Sequence, residues 1–185
     1  MSDNAQKHSF EPDPRLQEVA EAYTLDAIDM AKGNFGITLD RSEASIAQVE
    51  RILDELHQAT IKEAPSPETI ETVSKMFGSY IGEVFRQHHS GEWGFVTMGG
   101  GTVPGIKAPK NMFWPWLRVS NRLENGSEDN VWHYYQVMVQ KQTGDQGKVI
   151  ARVEPGRPPQ LIETSKPPET PAKKGLLGRL FGRDK

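Results

Sequence analysis

A chain of 185 residues with 36% hydrophobic and 25% charged residues has the composition of a globular protein long enough to bury one core. It contains no cysteine, which excludes disulfides, thiol catalysis and thiolate metal sites, and no run near the ~18 apolar residues of a membrane span. The net charge of −3 is uneven: residues 173–185 carry five basic residues (Lys173, Lys174, Arg179, Arg183, Lys185) against Asp184, a net +4 that leaves −7 on the rest. A body so acidic is unsuited to wrapping nucleic acid, which is held by phosphate neutralisation.

Residues 1–14 are polar, hold Pro12 and Pro14, lack the apolar core of a signal peptide and read as a disordered N-terminus. The expected location is the cytoplasm. From Arg15 a helix is predicted, with Leu16, Val19, Ala20, Tyr23, Ala27 and Met30 at helical spacing and Gly33 and Gly36 near its end. Phe35 to Leu39 is a short apolar link or strand. Asp40 and Glu43 have the spacing of a capping box for a second helix carrying Ile46, Val49, Ile52, Leu53 and Leu56. Ser66-Pro67 opens a third, with Ile70, Val73, Met76, Phe77, Tyr80, Ile81 and Val84 on its apolar face.

The second half changes character. Residues 91–94 close the third helix, Phe95 to Met98 reads as a strand, Gly99 to Gly105 as a loop, and Ile106 to Ala108 as a return strand. Met112 to Leu117, with Phe113, Trp114 and Trp116, is an aromatic run expected to be largely buried. Val119 to Leu123 fits a helical turn ended by Asn125-Gly126. Ser127 is placed to cap a helix over Val131, Tyr134, Tyr135 and Met138, although Val, Trp and Tyr also suit a strand over residues 131–139. Six prolines between 155 and 171 make residues 151–172 a semi-extended linker.

Few residues suggest chemistry. His88 and His89, followed by Glu92, are metal-like in type. Adjacent helical residues point ~100° apart, though, so the pair cannot grip one ion as i, i+4 histidines do, and cations at a helix C-terminus explain them. The Gly99 to Gly105 segment fails as a phosphate loop: Ile106 stands where the lysine belongs, and Ala108 offers no hydroxyl. No Gly-x-Ser-x-Gly occurs, and no metal or cofactor is expected.

Gly78 and Gly82, four apart in the third helix, suit close approach by another element. Glu83, beside the apolar stripe, could act as a general base, but no nucleophile or second acid stands at a recognisable spacing. Pairing with Arg86, Arg118 or a backbone donor is the structural reading. Residues 173–185 read as a basic amphipathic tail, in which Leu176, Leu177, Leu180 and Phe181 would share one helical face beside Arg179, although three glycines weaken the helix.

The run Phe77 to Phe85, holding Gly-x-Tyr-x-Gly-Glu at Gly78 to Glu83, and then Gly91-Glu92-Trp93 resemble the motif of a widespread bacterial family of unknown function. Ile37 to Ser42 resembles that family's link into its second helix. Pro115 to Leu123, Asn125-Gly126 and Glu128-Asp129 resemble its later helices, so the likeness spans residues 15–142. It implies a helix over 127–142 and lends no activity; small stand-alone members are similar to bacterial immunity and accessory proteins.

The expected fold is α+β: N-terminal helices on a small antiparallel sheet, further short helices and disordered termini, with one globular domain over 15–150. The expected function is non-enzymatic binding of another bacterial protein, as an immunity or adaptor protein, through Glu83, Arg86, Trp93, Trp114, Trp116 and Arg118. Two alternatives are a peripheral membrane or assembly factor touching anionic lipid through Lys173, Lys174, Leu177, Arg179, Leu180, Phe181 and Arg183, and an enzyme with a pocket near Glu83 and Trp93.

Overall fold

The computed structural model describes residues 9–98, 101–144 and 175–181. The expected linker at 151–172 and the tail residues Lys173, Lys174 and Arg183 lie outside them. Strand β1 (Ser9–Pro12) precedes helices α1 (Pro14–Phe35), α2 (Ile46–Glu63) and α3 (Pro67–His89). Strands β2 (Glu92–Met98), β3 (Gly101–Lys107) and β4 (Met112–Phe113) follow, then α4 (Pro115–Asn125), α5 (Val131–Thr143) and α6 (Leu176–Phe181). The strands form one antiparallel sheet in the order β1-β2-β3-β4, so the fold is α+β.

The chain caps its helices in different ways. Asp13 accepts from Arg15 N–H at 2.9 Å, Pro14 occupies the first turn, and Gly36 ends α1 at φ 66°. Ser66 and Pro67 open α3 as expected. Asp40 does not cap α2. It turns back onto Ser42, accepting from its N–H and hydroxyl, while Ser42 caps a short 3₁₀ turn, Glu43–Ser45, that leads into α2. Glu43 is thereby free to reach across the fold.

α3 is the central element. From Phe77 to Phe85 nine consecutive residues are buried, because α1 and α4 pack on the helix and Trp93 and Ile106 of the sheet reach it at Gly82. Its glycines are what allow this. A Cβ on Gly78 would lie 2.7 Å from the Trp116 Cα, and one on Gly82 would press into the Trp93 indole and come within 2.9 Å of Ile106 Cδ1.

Four expectations are corrected. Residues 9–14 are ordered: β1 pairs Phe10 with Val96 and Pro12 with Gly94, and Asp13 N–H bonds Trp93 O at 3.1 Å. A four-residue edge strand ending in proline shows no alternation of its own, and its partner is more than eighty positions away. Gly101 to Gly105 is strand β3, not loop, since each residue pairs with β2. β2 begins at Glu92 because Ser90, at φ 58°, already ends α3. The helix expected over 131–138 forms, as Val131–Thr143, but its cap is Asn130, which accepts from His133 N–H at 2.8 Å, and not Ser127. Among the described residues no helix is long and apolar enough to cross a membrane.

Candidate functional site

The Gly-x-Tyr-x-Gly-Glu run delivers Tyr80 and Glu83 to separate networks. Glu83, 1% exposed, accepts from Trp93 Nε1 at 2.7 Å, from Arg86 Nε at 3.0 and 3.1 Å, and from Arg86 Nη2 at 2.8 Å. Glu21 lies 3.5 Å from the same guanidinium. The carboxylate raises the Arg86 pKa through these hydrogen bonds. A carboxylate enclosed by two fixed donors has no free lone pair aimed at a substrate, so its geometry is that of a clamp joining α3 to β2.

Tyr80 serves the other network. Its hydroxyl accepts from Arg41 N–H at 2.9 Å and bonds Ser45 Oγ at 2.6 Å, holding Arg41 at φ 61°. Burial pushes the Tyr80 pKa up. Beside it Glu43 accepts from Tyr135 Oη at 2.8 Å and meets His89 Nε2 at 2.5 Å. Burial, reinforced by Glu43, pushes Tyr135 strongly upward. His88 lies 3.2 Å from Arg41 O, so the two histidines point to different partners. Among the described residues no cluster of three or more His, Asp or Glu could hold a metal ion.

The other sequence candidates divide. Trp116 lies 5.9 Å from Trp93, centroid to centroid, and donates from Nε1 to Ser79 Oγ at 2.8 Å. Trp114 and Arg118 belong to a different neighbourhood: the Trp114 backbone N–H meets Tyr134 Oη at 3.4 Å, while Arg118 pairs with Asp129 at 2.6 Å and lies 4.6 Å from the Tyr134 ring centroid. Burial pushes the Tyr134 pKa up to about 12. In the tail, Leu177 is buried, Leu180 and Phe181 pack partly on the core, and Arg179 is exposed.

The outer edge of Trp116 opens onto a groove of about 640 Å³ between the N-terminal part of α3, the length of α4 and Pro104 of β3. Its apolar lining is Pro65, Pro67, Ile70, Pro104, Trp116 and Leu117, the last 50% exposed. Glu71, Lys75 and Glu124 form a charged rim, where Lys75 pairs with Glu71 and lies 6.0 Å from the Trp116 ring centroid. A Trp base, aliphatic and proline walls and a charged rim suit an apolar side chain of a partner better than a small polar substrate.

Sequence reasoning found Trp116 but not the groove. Ile70 reads as an ordinary stripe position, and Pro104 sits in what looks like a loop. It also missed the fully buried Arg122, which donates to Glu50 and Asp54 at 2.8 Å each; only its apolar setting between Val119 and Leu123 could have raised it.

No family model and no curated protein matches the chain. A solved structure from Bacteroides thetaiotaomicron VPI-5482 is similar in fold, with a TM-score of 0.54 and 12% identity over 75% of this chain. The aligned part spans 50% of that protein, and at this identity the likeness is one of fold.

Proposed function

We propose that the protein is a non-enzymatic binding module of the bacterial cytoplasm, an immunity or adaptor protein that docks an apolar side chain of a partner protein between α3 and α4. The observation that carries this reading is the groove, in which a half-buried tryptophan and a half-exposed leucine form an apolar floor inside a charged rim. Such anchor pockets concentrate binding energy in a few residues. The engaged state of Glu83 supports binding over catalysis, since the best-placed buried acid is fully committed to Trp93 and Arg86.

Affinity capture from host lysate with wild-type protein and Leu117→Asp in parallel tests the reading. Leu117 is half exposed, so the variant keeps the fold. A stoichiometric protein retained by wild type and lost by the variant is the expected result. Retention of the same partner by both removes the groove from the account.

A further inference from the structure

We infer that α6 is a lipid-binding segment held in a masked position by α2. The residues that would enter a bilayer are those that now face the protein. At 100° per residue Leu176, Leu177, Leu180 and Phe181 fall within one 140° arc. Leu177, inside that arc, is 3% exposed, and the other three pack partly against the core. Arg179 lies outside the arc and is exposed.

A single carboxylate holds the segment at its start. Glu63, the last residue of α2, accepts from Leu177 N–H at 3.0 Å and Gly178 N–H at 3.1 Å. Gly175 lies so close that any Cβ there would strike the Glu63 side chain. Six residues, one of them glycine, bonded mainly to one neighbouring helix, form a small contact that release can compete with.

The lipid surface is specified by charge. In sequence the segment is flanked by Lys173, Lys174, Arg183 and Lys185, and these with Arg179, less Asp184, give a net +4 over residues 173–185. An apolar arc with Arg179 outside it, in a stretch of net positive sequence charge, matches an anionic bilayer, where area and charge attraction act together. Docking and insertion use the same arc and exclude each other, so apparent lipid affinity is reduced by the undocked fraction. This proposal does not depend on the groove.

The test is co-sedimentation of full-length protein with vesicles of phosphatidylcholine, alone or with phosphatidylglycerol, at low and high salt. Binding to the anionic vesicles alone, lost in high salt, is expected. Glu63→Gln weakens the hold on the two amides and should tighten that binding by roughly three- to tenfold, whereas Arg179→Glu should weaken it. Circular dichroism of Glu63→Gln should match wild type, since the change is confined to the end of α2. Absence of vesicle binding by both wild type and Glu63→Gln overturns the lipid assignment. Equal binding by the two overturns the masking.

Discussion

Replacing Glu83 with glutamine tests whether this buried carboxylate is a clamp. Three N–H groups converge on it, one from Trp93 and two from Arg86. Each hydrogen bond to a charged group nets about 1.5–3 kcal/mol. The amide of Gln can still accept from Trp93, but its NH₂ would face the Arg86 donors, leaving one buried donor opposed to another. Breaking a fully buried ion pair costs about 3–5 kcal/mol. Arg86 is 24% exposed and keeps Glu21 nearby, so water and the second acid recover part of that. The expected loss is about 2–4 kcal/mol in urea unfolding, with an unchanged m-value. Trp93→Phe removes one bond, and the double variant should lose less than the sum of the singles because both act on one carboxylate. A Glu83→Gln stability within about 0.5 kcal/mol of wild type would refute the clamp, and lost biological activity at unchanged stability would restore a catalytic role.

The glycines offer a paired test: Gly82→Ala drives a Cβ into the Trp93 indole and should cost at least about 1–3 kcal/mol. Gly33→Ala meets nothing within 4 Å in α1 and should gain about 0.5–1 kcal/mol; equal effects in urea titrations would contradict the close approach. Alkaline pH should destabilise the fold, because burial raises the folded-state pKa of Tyr134 to about 12 and also raises those of Tyr80 and Tyr135. These tyrosines lose protons first in the unfolded chain, so their contribution to stability is constant below about pH 10 and falls above it, by up to ~1.4 kcal/mol per pH unit per tyrosine; urea midpoints that stay flat from about pH 10 to about pH 12 would refute this. Glu50 accepts from both Arg122 Nε and Val131 N–H, so Glu50→Ala leaves Val131 N–H unpaired and the buried Arg122 charge with only the exposed Asp54 beside it, and should cost about 2–4 kcal/mol. Arg122→Met removes that charge, whose Nη1 is without a partner among the described residues, and should cost far less; thermal unfolding in the reverse order would contradict the reading.

The three long helices were legible because their apolar stripes and Ser66-Pro67 are local signals. The strand-or-helix ambiguity at 131–139 was real at the level of propensity. It is resolved by the Asn130 cap and by packing that brings Tyr135 to Glu43, 92 positions away. The spacing of Gly78 and Gly82 announced close approach but not by what, since Trp116 and Trp93 arrive from other elements. Pairing of Glu83 with Arg86 was readable as i, i+3, whereas its bond to Trp93 depends on where β2 is laid. The amphipathic arc of the tail was visible, but its docking was not, because Glu63 stands 114 residues before Leu177. The groove escaped notice because it combines α3, α4 and one strand residue that no periodicity links.

The most direct test of the binding reading is isothermal titration of the captured partner into wild-type protein and Leu117→Asp, with folding checked by circular dichroism. The account predicts a one-to-one complex whose affinity falls at least about thirtyfold in the variant, the ~2 kcal/mol loss expected at an interface anchor. An unchanged affinity for a folded Leu117→Asp would contradict it and place the partner elsewhere on the body.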